Sequence, residues 1–154
     1  MKFRITSLIA GLVMVGSLQA QSLQDGVNDL YAKRFKSAKA TFDKLLASNP
    51  NNIDATYWLG QTYLEMDDVA GAKGVYDKAL LASANAPLVI VGRGQVDLTE
   101  NKISEARQRF EAAIAMTRGK KGDDPVILNA VGRAITDVYD EKEKKVLHLH
   151  SSGS

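Results

Sequence analysis

The sequence predicts an all-α fold built from stacked helical hairpins, and two observations support this prediction. First, residues of the same kind recur at intervals of 34 along the chain. Second, the apolar residues within each interval are spaced three and four apart, as on one face of a helix. Self-similarity at such a period is typical of helical repeat proteins. The recurring sets are Gly26, Gly60 and Gly94; Ala38, Ala72 and Ala106; Phe42, Tyr76 and Phe110; and Leu45, Ala79 and Ala113.

Each 34-residue unit contains two amphipathic helices. In the second unit, Leu59 and Tyr63 lie on one stripe of the first helix. Ala72, Tyr76 and Ala79 follow at i, i+4 and i+7 and form the stripe of the second helix. The small residues let two helices approach closely, and the aromatic ring fills the space where they diverge. The turns between the two helices of each unit are predicted near Lys33, Asp67 and Asn101.

The boundaries of the units follow from turn and cap residues. Pro50 ends the first hairpin, and Asn51 or Asn52 is available to cap the next helix. A fourth unit begins four residues late, because the segment 118–124 is longer than the earlier connections, and Pro125 suits the first turn of its helix. The pattern predicts only the first helix of this fourth unit, over 126–139. The predicted hairpins are about 21–50, 53–86 and 87–118, with a half repeat at 125–140 and a non-repeat C-terminal tail at 141–154.

Residues 1–20 have the pattern of a secretory signal peptide. Lys2 and Arg4 provide the positive start, an apolar stretch follows, and small and polar residues lead to a cleavage site after Ala20. The alternative is an uncleaved membrane anchor, but the apolar run is shorter than the roughly 20 residues that a membrane span requires. We therefore expect export to the periplasm or cell envelope, with no membrane span once the signal peptide is removed.

Composition excludes several classes of protein. The 154 residues are 45% hydrophobic and 25% charged, as expected for one globular domain, and there is no cysteine for disulfides or thiolate metal sites. Without Lys2 and Arg4, 18 of the 20 basic residues remain against 18 acidic ones. A formally neutral mature chain gives no support to nucleic-acid binding.

The repeats resemble a known family. Leu59-Gly60-Gln61-Thr62-Tyr63 followed by Ala72-Lys73-Gly74-Val75-Tyr76 closely resembles the tetratricopeptide repeat. The chain departs from the family pattern at Trp58, which lies two places late, and at Asp29 and Asp97, where tyrosine is usual. The resemblance implies a right-handed superhelical solenoid of about three and a half tetratricopeptide helix-turn-helix hairpins.

The resemblance also implies that a protein or peptide partner binds in the concave groove lined by the first helix of each unit. The chaperone-tail binders of the family use a lysine–asparagine set to clamp a terminal carboxylate. The matching places here carry Tyr57 with Gln61 and Val91 with Gln95, so the clamp is not carried over and we expect apolar and amide contacts instead. The groove residues implied are Tyr57, Gln61, Glu65, Val91, Gln95, Asn129 and Arg133.

The sequence offers no catalytic constellation, so we expect a protein that is not an enzyme and uses no cofactor. The only two histidines, His148 and His150, lie in the predicted tail, which offers no clear carboxylate or thiolate to complete a metal site. The paired acidic residues fall in turns, where helix capping accounts for them.

Two functions remain open. The first is a protein-interaction module of the bacterial envelope that binds a peptide or helix in its groove. The second is the truncated N-terminal structural part of a longer repeat array. The apolar residues of Val126–Tyr139 form more than one stripe, and the third hairpin covers only one side of them. Two explanations of this open face are a chain cut short of a longer array, which the abrupt end of the repeat pattern after Lys145 favours, and a homo-oligomer that pairs through this helix. Both predict self-association of the chain.

Overall fold

The chain forms seven helices in the residues that the computed structural model describes, namely 22–119 and 122–151, with side chains described as far as residue 143. The signal peptide expected at 1–20 lies outside these residues, as do the side chains of His148 and His150. None of the described helices is both long enough and apolar enough to cross a bilayer. The helices are α1 (22–31), α2 (Phe35–Ser48), α3 (Ile53–Glu65), α4 (Val69–Ala82), α5 (Pro87–Thr99), α6 (Ile103–Thr117) and α7 (Pro125–Ser151).

The three hairpins turn in the same way. Lys33, Asp67 and Asn101 have positive φ values of 58°, 58° and 62°, which confirms the predicted turn positions. In each turn the next residue donates its backbone N–H to a carbonyl five residues back, as from Arg34 to Asp29 at 2.8 Å. This bond satisfies a carbonyl that the helix end would otherwise leave unpaired. Lysine takes the left-handed conformation here although asparagine and aspartate do so more readily.

Glycine and an aromatic ring hold the two helices of each hairpin together. A Cβ atom placed on Gly60 would lie 2.1 Å from the ring of Tyr76, and the same atom on Gly26 or Gly94 would lie 2.6 Å from Phe42 or Phe110. Only glycine admits such an approach, so the 34-residue recurrence has a direct steric cause. The ring of Tyr76 also lies against Gly92 of the next hairpin, at 2.5 Å from a Cβ placed there.

Two apolar clusters form the core. One surrounds Phe42 between α1, α2 and α3, and the other surrounds Tyr76 and Phe110 and extends to α7. Trp58 and Tyr63 pack against both clusters, so the core is continuous along the stack. This is the nearest-neighbour packing expected of a repeat protein, in which no hairpin buries its own apolar face alone.

Asp97 replaces the usual tyrosine of the repeat and forms the centre of a buried ion-pair network. Its carboxylate accepts from Arg93 Nη1 at 2.5 Å and from Arg109 Nε at 2.7 Å, and Arg93 Nε also donates to Asp77 at 2.7 Å. Burial opposes the charge of Arg93, but the two carboxylates more than offset this effect and raise its pKa. The network joins α4, α5 and α6. At the equivalent position in the first hairpin, Asp29 accepts from Arg34 and Ser37.

The connection to α7 is a tight loop, and α7 is longer than predicted. Gly119 and Gly122 exchange backbone hydrogen bonds at 2.9 and 3.1 Å, and the Asp124 carboxylate accepts from the Val126 N–H at 2.8 Å as a helix cap. The predicted end of the helix near residue 139 is wrong, because α7 continues to Ser151. The residues at 140–145 are only aspartate, glutamate and lysine, and no glycine or proline interrupts the chain before Gly153. Lysine and glutamate are good helix formers, so the helix has no local reason to stop there.

Candidate partner-binding groove

Arg133 of α7 is bound in a cluster of aromatic side chains from α1 and α3. Its Nη2 donates to the Tyr57 hydroxyl at 2.6 Å, and its Nη1 donates to the Tyr31 hydroxyl at 2.8 Å. The guanidinium carbon also lies 4.7 Å from the centre of the Trp58 ring. This is a cation–π contact. We call Tyr31, Tyr57 and Trp58 the aromatic cluster. Arg133 thus links the last helix to the first two hairpins.

The aromatic cluster is packed edge to face. The Trp58 ring centre lies 5.3 Å from that of Tyr57 and 6.2 Å from that of Tyr31. Burial raises the pKa of Tyr57, and Arg133 partly opposes this effect. Burial also disfavours the charge of Arg133, but its hydroxyl partners more than offset this effect and raise its pKa. Both groups therefore keep their protons at neutral pH.

Two cavities are bordered by both α3 and α7, and together they form the candidate groove. One has a volume of about 190 Å³ and is bordered by Tyr31, Trp58 and Arg133. The other has a volume of about 310 Å³ and is bordered by α3, α5 and α7. Glu65 and Asp137 line both cavities, so the two cavities are neighbours and together extend from α1 to α5. In the described part of the chain, no group of three or more metal-ligating side chains is arranged to hold an ion.

A pair of glutamines forms the rigid floor of the groove. Gln61 and Gln95 are 34 residues apart, and Gln61 Nε2 donates to Gln95 Oε1 at 2.8 Å. The same nitrogen lies 3.1 Å from the hydroxyl of Tyr76, and that hydroxyl donates to the backbone carbonyl of Tyr57 at 3.0 Å. Burial raises the pKa of Tyr76 far above its ordinary value. The bonds hold neighbouring hairpins in register across the face that a partner would meet.

The structure corrects the expected exposure of four predicted groove residues. Tyr57, Gln61, Val91 and Gln95 are buried, Val91 completely and Tyr57 with 2% of its surface exposed. They are covered because the helices of the inner face approach one another closely, and Arg133 of α7 closes over Tyr57. The expectation that these side chains point outward is therefore wrong. The two glutamine amides bind each other, so the amide contacts expected for a ligand are already made within the chain.

The other three predicted residues have different surroundings. Glu65 is exposed and lines both cavities, and Arg133 is half-buried at the wall of the smaller one. Asn129 is exposed and lines neither of these two cavities. The structure therefore places Glu65 and Arg133 at the same cavity, with the buried Tyr57 bonded to Arg133. Asn129 lies outside both cavities.

Sequence reasoning missed one line of groove residues. Tyr31, Glu65, Thr99 and Asp137 occupy the same repeat position, 34, 34 and then 38 residues apart, and all four line the groove. Only Glu65 of this line was predicted. The repeat interval, corrected for the four extra residues before α7, was the pattern from which the other three could have been found. Trp58 was noticed only as a tryptophan displaced from its usual family position.

Comparison with known proteins finds one family profile. A tetratricopeptide repeat profile matches residues 29–90, and this part of the chain consists of tetratricopeptide repeats. No curated protein shows significant similarity to the chain.

Several solved structures have the same fold. PcrH from Pseudomonas aeruginosa, in complex with the chaperone binding region of PopB, is 18% identical with a TM-score of 0.60, covering 78% of this chain and 94% of that chain. The type III secretion translocator chaperone SycD of Yersinia enterocolitica is 16% identical with a TM-score of 0.62, covering 84% and 95%. The first repeat domain of Spaghetti, bound to an HSP90 peptide, is 13% identical with a TM-score of 0.57, covering 79% and 93%. At these identities the likeness is one of fold.

Proposed function

We propose that the chain is a protein-interaction module that acts by binding and holds a peptide or helix of a partner protein in the groove between α3 and α7. The observation that carries this proposal is the pair of adjacent cavities that share Glu65 and Asp137. Solved relatives of the same fold support it, since the repeat domain of Spaghetti is bound to a peptide and PcrH to a segment of PopB.

The walls of the groove suit a segment with both apolar and charged side chains. Leu64, Val69 and Val138 line the larger cavity, and Tyr31 and Trp58 line the smaller one. These side chains offer apolar surface to a partner. Carboxylates of Glu65, Asp67, Asp137 and Glu141 also line the cavities, with Lys33 in the smaller one and Lys142 in the larger one. Peptide-binding grooves typically combine apolar surface with a few polar groups in fixed positions. The apolar side chains and the hydrogen-bonded glutamines of this groove have that character.

Site-specific photo-crosslinking tests the groove. A photoreactive phenylalanine analogue replaces Tyr31, whose side chain is exposed in the smaller cavity. The matched control replaces Leu81, which is 90% exposed on α4 and lines neither of the two cavities. We expect one crosslinked partner band from position 31 and none from position 81. Equal crosslinking from both positions would contradict binding in the groove.

We also propose that the protein works in the bacterial envelope, because residues 1–20 have the pattern of a signal peptide. Mass spectrometry of the protein recovered from the envelope fraction tests this. The expected chain begins at Gln21, and replacing Ala20 by a bulky residue should leave the unprocessed form. Intact Met1 in a soluble cytoplasmic pool would contradict export.

A further inference from the structure

Gly132 is the fourth member of the glycine series, and no aromatic ring of the described residues lies against it. Gly94 lies 38 residues earlier, which is the repeat interval plus the four extra residues of the loop. The three earlier glycines each lie against a ring of the following helix, whereas a Cβ atom on Gly132 would meet nothing within 4 Å. The surface of α7 at Gly132 therefore has the shape of a ring-binding position without a ring from the described chain.

Two apolar residues beside Gly132 are also uncovered. Leu128 and Ile135 correspond to Ile90 and Asp97 of the third hairpin, again 38 residues earlier. Ile90 and Asp97 are 7% and 2% exposed, because α6 covers them, whereas Leu128 and Ile135 are 43% and 39% exposed. The positions that a second helix covers in the third hairpin are open on α7.

Tyr139 supplies the kind of side chain that this surface lacks. It is 59% exposed and lies seven residues, or two turns, after Gly132. At 100° per residue, Leu128, Gly132, Ile135 and Tyr139 fall within about 60° of one another around the helix. We call these four residues the outer stripe of α7. The outer stripe contains both a glycine on which no ring packs and an exposed aromatic ring.

We propose that a second copy of this chain covers the outer stripe, with the two α7 helices antiparallel and Tyr139 of each copy packed on Gly132 of the other. In each of the three hairpins of the described chain, an aromatic ring of the second helix packs on a glycine of the first. The proposed dimer would use the same kind of contact between two copies. A two-fold axis makes each residue pair occur twice, as closed dimers require. The outer stripe of each copy supplies both the glycine and the tyrosine of this contact.

This pairing fixes a register. If Gly132 opposes Tyr139 of the other copy, the two-fold axis passes between Ile135 and Thr136. The two Ile135 side chains then meet near the axis. Asn129 opposes Lys142 of the other copy, so the two Asn129 residues lie about 20 Å apart along the helix axes, at about 1.5 Å per residue.

The proposed dimer leaves the groove open. Arg133 and Asp137 face the groove from another side of α7, and Ile127, Ala130 and Ala134 face the core. None of these belongs to the outer stripe. Partner binding in the groove and pairing of two copies are therefore separate properties, and a variant can remove one without the other.

Sedimentation equilibrium of the purified protein over a range of concentrations tests the pairing. We expect a monomer–dimer equilibrium that Gly132→Ala weakens by about tenfold or more, because the added methyl group occupies the space of the ring. Alanine meets no neighbour within the single chain, so Gly132→Ala should not lower the melting temperature measured at concentrations where the wild type is monomeric. Val126→Ser is the matched control, since Val126 is 60% exposed on the same helix but outside the outer stripe. A protein that stays monomeric, or a dimer that tolerates Gly132→Ala, would overturn the proposal.

Crosslinking tests the register. The native chain has no cysteine, so single substitutions can be joined by a short bis-maleimide. Thr136→Cys should give covalent dimers in high yield, and Asn129→Cys, at an exposed site on the same helix, should give almost none. Efficient crosslinking at both positions, or at Asn129→Cys alone, would overturn the antiparallel arrangement.

Discussion

Arg133 and Tyr31 are joined by a 2.8 Å hydrogen bond across 102 residues of sequence. The bond from Arg133 to the Tyr57 hydroxyl spans 76 residues, and the other tertiary hydrogen bonds described above connect residues of the same or adjacent hairpins. Because Arg133 also contacts Tyr57 and Trp58, α7 is tied to the beginning of the stack as well as to α5 and α6. Arg133 and Asp137 of α7 therefore form one wall of the groove.

The first prediction concerns this link. Arg133→Ala removes two hydrogen bonds and the cation–π contact, and we expect it to lower the free energy of unfolding by about 1–2 kcal/mol. Arg133→Lys keeps the charge but cannot donate to both hydroxyls in the same geometry, so its effect should be intermediate. Urea unfolding followed by fluorescence of Trp58, the only tryptophan, measures both. Wild-type stability in Arg133→Ala would show that the contact contributes nothing.

The second prediction compares two glycines. Gly60→Ala places a methyl group against the fully buried ring of Tyr76, and we expect a loss of about 1–3 kcal/mol. Gly74→Ala lies in the exposed middle of α4 with nothing within 4 Å of the new atom, and it should stabilise by about 0.5–1 kcal/mol. Thermal unfolding by circular dichroism distinguishes them. Effects of the same sign would contradict the glycine–aromatic packing.

The third prediction concerns the ion-pair network. Asp97→Asn removes the charge shared by Arg93 and Arg109 in a site where only 3% of the aspartate side chain is exposed. We expect a loss of about 3 kcal/mol, because a buried cation loses its partner. Asp77→Asn is the control, because its side chain is half-exposed, and it should cost less than about 1 kcal/mol. Chemical denaturation of both variants is the measurement, and equal losses would be inconsistent with a network centred on Asp97.

The fourth prediction concerns alkaline pH. Burial raises the pKa of Tyr76 above its ordinary value of 10.0, so the folded chain holds this proton more tightly than the unfolded chain. Its contribution to stability is complete below pH 10 and is lost as the pH rises further. One such group gives a slope of about 1.4 kcal/mol per pH unit. Tyr76→Phe should make the decline of stability above pH 10 shallower, as measured by urea unfolding at several pH values. An unchanged slope would contradict this assignment.

The repeat made much of the fold predictable. Gly60 and Tyr76 identify a close helix pair because no other residue fits against the ring, and Asp67 and Asn101 identify the turns because they tolerate positive φ. The length of α7 was not predicted, because charged residues without an apolar stripe were interpreted as a tail. The repeat period also predicts on which face of a helix a residue lies, but it does not predict how deeply the residue is buried.

The groove was predictable only in part for the same reason. Tyr57 and Gln61 were placed on the correct face, yet both are buried, because their burial depends on Arg133 and Gln95 reaching them from other hairpins. Such contacts depend on the lengths and directions of side chains in three dimensions. A repeat interval contains no information about them.

The glycine–aromatic pairs have a consequence for the order of folding. Gly26 with Phe42, Gly60 with Tyr76 and Gly94 with Phe110 each close over 16 residues of chain, so most of the core forms from local contacts, which is the topology associated with fast folding. Each hairpin can begin to form as soon as its own two helices exist, and its neighbours then add to it. Only the contact from Arg133 to Tyr31 must wait until both ends of the stack are in place. We therefore expect it to slow unfolding while leaving the folding rate unchanged.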